Sequence, residues 1–141
     1  MHNRFSTSRW TPVAIGTAVL FVASVVPSPF KRHSGWRRFG PDKFLHFVGH
    51  AGYATALANA LGTDGSDGRA AVLAVCLSTA HSLVTGRVQT RVPGREFELA
   101  DVGASLLGAV LAACGWYAVR NTLSNDPNVV PEESRMQTAV R

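Results

Sequence analysis

The sequence predicts an all-α protein, a four-helix transmembrane bundle. Three observations carry that expectation. Of 141 residues, 46% are hydrophobic and 16% charged. A soluble domain is about 25% charged, so too little polar surface is left to coat a globule in water. The apolar residues fall in four long runs, with the charges gathered in the tails and between the runs. Small residues also recur every four positions: Gly52, Ala56 and Ala60; Ala70, Ala74 and Ser78; Ala104, Gly108 and Ala112. Such rows let helix backbones approach in lipid, where apolar attraction between helices gives no drive. A soluble helical bundle is the competing reading, but charge-free runs of this length do not suit helices with one face in water.

The elements follow in order. Residues 1–9 form a polar N-terminal tail, and residues 10–120 form one membrane domain. The first helix covers about residues 10–28. At ~1.5 Å per residue it just crosses a ~30 Å hydrocarbon layer. Trp10 suits an interfacial belt, and Pro27 and Pro29 stop the helix. A cleavable signal peptide is the rival for this segment, given Arg4, Arg9 and small residues near Ala23 and Ser24. Against it, Val25-Val26-Pro27 is a poor cleavage site. A basic loop follows, with Lys31, Arg32, Arg37 and Arg38 among Trp36 and Phe39, as in an interfacial anchor. The second helix covers about 43–61, with Asp42 placed to cap its free N–H groups. Gly62 to Gly68 is a turn without core-forming residues. The third helix covers about 69–87 and the fourth about 98–119, closed by Trp116, Tyr117 and Arg120 in belt positions. Residues 121–141 read as a disordered polar tail.

The net charge is +5. The basic residues flank apolar runs, which suits the head groups of anionic membrane lipids. There is no basic helix or aromatic-interleaved basic strand for nucleic acid, so no nucleic-acid partner is expected. The localisation expected is the cell membrane, with several passes. The first and third loops are the more basic, which puts them in the cytoplasm and both termini outside. Cys76 and Cys114 lie inside apolar runs; they form no disulfide framework and read as small core residues. Nothing in the sequence fixes the oligomeric state.

Candidate chemistry lies in two polar patches. Asp42, His46 and His50 are spaced four apart and share one helix face, which Tyr53 continues. An ionisable residue inside a membrane helix is costly and is a functional candidate by default. The plainer account makes Asp42 a cap and His46 its hydrogen-bond partner. His81 in the third helix is a further candidate, although a neutral histidine can satisfy itself on a neighbouring carbonyl. The second patch is Val88 to Asp101. Gln89 lies near the end of the third helix, where Arg87 and Arg91 follow the usual cation bias. Pro93-Gly94 makes a turn. Glu96 and Glu98 suit the start of the fourth helix and need no function. Arg95 offers a guanidinium fork for a carboxylate or phosphate. Asp101 is the only charge of the fourth run before Arg120, and its natural partners are Arg95, Lys43 or His46.

With four spans, the end of the first loop and the whole third loop lie at one membrane face. Asp42, Lys43, His46, Gln89, Arg95 and Asp101 then converge. One expected role is to bind an anionic lipid or lipid-linked phosphate, with Lys43 and Arg95 on the charge and His46 and Gln89 orienting it. Another is an intramembrane hydrolase or transferase with His46 as general base, oriented by Asp42. A third is a loop clasp in a non-catalytic helper subunit. No nucleophilic Ser or Cys sits in a diagnostic motif. Two histidines at four-residue spacing without a Glu between them are weak evidence for a metal, so no metal or cofactor is expected.

Asp42-Lys43-x-x-His46-Phe47, then Gln89, then Pro93-Gly94-Arg95-x-Phe97-x-x-x-Asp101, then Gly108 in an apolar helix, resemble the VanZ-like membrane proteins. The resemblance covers about residues 42–112. It implies four or so membrane helices and an association like that family's founding one, resistance to the lipoglycopeptide teicoplanin. Three positions depart from the family pattern. Gly86 stands where a Glu is common, Ser105 where an Asn is common, and His50 where a Tyr is frequent. Losing the Glu removes the best general base, unless His46 or His50 substitutes.

Overall fold

The computed structural model describes residues 8–26, 40–62, 66–93 and 96–125. These residues form four helices and no strand: α1 (Thr11–Val25), α2 (Pro41–Leu61), α3 (Asp67–Gln89) and α4 (Leu99–Ser124). The all-α expectation is met. The N-terminal tail to Thr7, the basic loop from Pro27 to Phe39, and the C-terminal segment from Asp126 onward lie outside the described residues.

Local sequence accounts for the helix ends. Pro41 opens α2 at its first position, where its missing N–H would be unpaired anyway and its fixed φ suits a helix. Asp42 sits in the first turn but makes no side-chain cap bond, so the expected capping role is not taken. It still lies where the helix dipole favours a carboxylate. α4 runs beyond Arg120, where the tail was expected, because Thr122 Oγ1 donates to the Ala118 carbonyl at 2.9 Å and absorbs its own polarity. The same i to i−4 bond is made by Thr17, Ser24, Thr55, Thr79, Thr85 and Ser105. These hydroxyls are satisfied inside their own helices, without water.

The helices run up and down. α1 is antiparallel to α2, since Leu20 covers Gly49 and Tyr53 covers Gly16. α2 and α4 are parallel: Lys43 meets Glu98 at one end, and Trp116 packs on Gly62 at the other. α3 is antiparallel to α4, with Asp67 beside Arg120 and Gly86 under Phe97. The α2–α4 pair is the most extensive, and α1 leans on α2 and α3.

The interior combines many small and polar side chains with a few large ones, Val13, Tyr53 and Leu57, while many large apolar residues lie on the surface. Ala54, Ala58, Ala74 and Ala109 are completely buried, and the largest fully buried side chains among the described residues are His50, Ser78 and Ser105. Val19, Val72, Val84 and Leu123 are each at least 60% exposed. Cys76 and Cys114 also lie on this outer surface, which corrects the expectation that they are core residues. The thiols fall on helix faces turned away from the core.

Of the small-residue rows, Ala70, Ala74 and Ser78 are wholly buried. Gly108 is the tightest point: a Cβ there would collide with the Phe47 carbonyl oxygen, backbone against backbone. Gly52 does not serve close packing. It has open space around it and lines an apolar groove between α1 and α2, with Ile15, Val19 and Gly49.

α3 and α4 are each long and apolar enough to cross a membrane. α1 is apolar but has 15 residues, ~22 Å of helix against a ~30 Å layer. α2 has 21 residues, but Asp42, Lys43, His46, His50 and Asn59 dilute its apolar content. By length and composition, then, two of the four expected spans are found among the described residues.

The Gly108 contact makes a prediction. Gly108→Ala forces the α2 and α4 backbones apart and costs ~1–3 kcal/mol, as overpacking does. Gly103→Ala, with nothing within 4 Å of its Cβ position, is neutral to stabilising by up to ~1 kcal/mol. Thermal unfolding of the two variants in detergent checks the difference.

Candidate functional site

The site lies at the end of the bundle where α2 and α4 begin and α3 finishes. Lys43, in the first turn of α2, reaches across to α4. Its Nζ is 2.9 Å from Glu98 Oε2 and 3.7 Å from Asp101 Oδ1. Asp101, expected to pair with Arg95, Lys43 or His46, therefore has Lys43 as its ion-pair partner. The pairing is uneven: Glu98 takes a hydrogen bond from the ammonium, while Asp101 Oδ1, buried, accepts none. Glu98, read from sequence as needing no function, anchors this contact. A helix-start carboxylate is explained by the dipole alone, so the sequence carried no signal that it also had a partner 55 residues away.

Asp42 and His46 complete the cluster. One ligand-type atom each of Asp42, His46 and Asp101 lie within 4.8 Å of one another. Asp42 is exposed, His46 half-buried and Asp101 buried. The helical repeat puts Asp42 over His46, and the parallel packing of α2 against α4 brings Asp101 beside both. Gln89 is buried in the last turn of α3, at the same end. Arg95, with Gly94, lies outside the described residues. Nearby, the Arg87 guanidinium stands 5.6 Å from the centre of the Phe97 ring, and that ring covers Gly86. Where the resemblance implies a Glu, this chain has a glycine roofed by an aromatic ring.

From this rim a column of rings runs into the bundle. His46 stacks on His50 with centroids 6.3 Å apart, and His50 lies 5.8 Å from His81. Tyr53 stands 5.2 Å from His81, and its hydroxyl is 2.9 Å from Thr17 Oγ1 on α1. His50 Nδ1 shares a 2.9 Å hydrogen bond with Ser78 Oγ, while His81 Nδ1 is buried with no hydrogen-bond partner. The His46, His50 and Tyr53 face was legible from spacing. The arrival of His81 was not, because it depends on how α3 is rotated. Ser105 is fully buried and donates to the Asp101 carbonyl at 2.8 Å, so its hydroxyl serves its own helix.

The opposite rim is closed differently. Arg120 holds both Asp67 carboxylate oxygens at 3.3 Å and lies over the Trp116 ring. Trp116 Nε1 donates to Asn59 Oδ1 at 2.7 Å. Trp116 and Arg120 therefore tie α2, α3 and α4 together. No family model, curated protein or solved structure matches the chain.

The Lys43 contact is testable. Lys43→Met removes the cation 3.7 Å from the buried Asp101 and costs ~1–3 kcal/mol, the penalty of an unsatisfied buried acceptor. Adding Asp101→Asn to Lys43→Met recovers part of that loss. A double-mutant cycle read by thermal unfolding in detergent measures the coupling.

Proposed function

We propose that this chain is a multi-pass protein of the cell membrane, its four helices crossing the bilayer. In this reading the α2–α4 rim holds the polar head group of an anionic lipid or lipid-linked phosphate. One observation carries the reading: the interior is rich in small and polar side chains while Val and Leu cover much of the outside. Water disfavours a surface of that kind, and hydrocarbon is its natural solvent. A head-group site belongs at a rim, and the clustered ionisable residues of this chain lie at one. Lys43 has three donors, of which Glu98 takes one, so the ammonium can still reach a phosphate. The likeness of this stretch to the VanZ-like proteins bears on the multi-pass part of this reading alone.

The protein isolated in mild detergent retains an anionic lipid, seen by native mass spectrometry as a defined mass increment. Lys43→Met reduces that retention. A chain that is freely soluble without amphiphile, or one that carries no lipid, sinks the proposal.

A catalytic reading rests on the flanking of His46 by Asp42 and Asp101, which can orient and polarise an imidazole acting as general base. His46→Gln separates the two. It abolishes turnover of a lipid-linked phosphate if the site is catalytic, and leaves lipid retention largely intact if the site only binds.

A further inference from the structure

We infer that Asp42, His46 and Asp101 form a binding site for a borderline divalent cation, Mn2+ or Zn2+. Two helices supply the donors, Asp42 and His46 from α2 and Asp101 from α4, and one donor atom of each lies within 4.8 Å of the others. Donors bound ~2.1 Å from one ion stand ~3–4 Å apart. Closing that gap needs a shift of ~1 Å, which the exposed Asp42 side chain can supply by rotation.

A second observation concerns the carboxylate of Asp101 itself. Asp101 is only 7% exposed, yet its Oδ1 has no hydrogen-bond donor. A buried carboxylate oxygen left unsatisfied calls for an ion or a water. Lys43 does not fill this role, because its ammonium is drawn to Glu98 at 2.9 Å and stays 3.7 Å from Asp101. The donor chemistry narrows the ion: carboxylates suit Mg2+, Ca2+ and Mn2+, imidazole suits Zn2+ and its neighbours, and no thiolate is present to favour Cu+. A set of one imidazole and two carboxylates suits Mn2+ or Zn2+ and leaves coordination positions open. The sequence expectation of no metal rested on α2 alone, and the third donor comes from α4.

The site stands on geometry alone, but it deepens the head-group reading, because an ion with open positions can accept a phosphate oxygen alongside Lys43. The two therefore need separate measurements. The purified full chain in detergent, stripped with chelator, is titrated with Mn2+ alone and Zn2+ alone, followed by electron paramagnetic resonance and by calorimetry. The expected result is saturable binding of one ion per chain. Asp101→Asn and His46→Gln should each weaken it at least about tenfold. Asp42→Asn, at an exposed position, does the same without disturbing the packing, and circular dichroism verifies that each variant is folded. No saturable uptake by the native chain overturns the site, as does uptake unchanged in the folded Asp42→Asn variant. Binding of Mg2+ or Ca2+ as tight as that of Mn2+ and Zn2+ overturns the role of His46. Metal binding without lipid retention leaves the ion site standing and removes the head-group reading, and the converse result removes only the ion site.

Discussion

Gly108 tolerates no side chain, because the carbonyl of Phe47 lies where its Cβ would stand. The polar groups shared between the first turns of α2 and α4 depend on that contact. Phe47 directly follows His46, and Gly108 lies two turns beyond Asp101 on α4. When these two backbones touch, the first turns of α2 and α4 are pinned side by side, and Lys43 can span from one to the other. Alanines and serines continue the seam. Ala54 and Ala58 on α2, Ala74 and Ser78 on α3, and Ser105 and Ala109 on α4 are all completely buried. A seam of such residues buries little apolar area, so close contact and internally satisfied hydroxyls add to what the Val13, Tyr53 and Leu57 cluster contributes.

Much of the architecture was legible in the sequence, because periodicity and the length of apolar runs are local properties. The face made by Asp42, His46, His50 and Tyr53 needs only the helical repeat. The arrival of Asp101 near Asp42 and Lys43 needs only an up-and-down chain. What failed were properties of rotation and register. Cys76 and Cys114 were assigned to the core on the apolarity of their segments, but apolarity does not distinguish inside from outside when both are apolar. His81 could not be placed beside His50 and Tyr53 without knowing which face α3 turns inward. The run of α4 to Ser124 was hidden because Asn121 and Thr122 look like loop residues, although Thr122 bonds back to its own helix. The role of Gly86 became clear only with the Phe97 ring lying on it.

The rim gathers charge that would be costly anywhere else in the bundle. α2 and α4 are parallel, so both bring their N-termini to this end, where exposed backbone N–H groups favour carboxylates. Asp42, Glu98 and Asp101 all lie within a turn of those termini. Lys43 joins the two helices through the same carboxylates. The electrostatics thus follow from topology: an antiparallel α2–α4 pair would have set the Asp101 carboxylate against the carbonyl end of α2.

The two ends of this bundle are consequently not interchangeable. One presents carboxylates, an imidazole and an ammonium, and the other is sealed by the Arg120–Asp67 pair and the Trp116–Asn59 bond. In a bilayer such a molecule would have handedness of address: a copy threaded upside down would keep its fold yet offer its chemistry to the wrong compartment. How the chain is first inserted would then decide its usefulness as firmly as any side chain does.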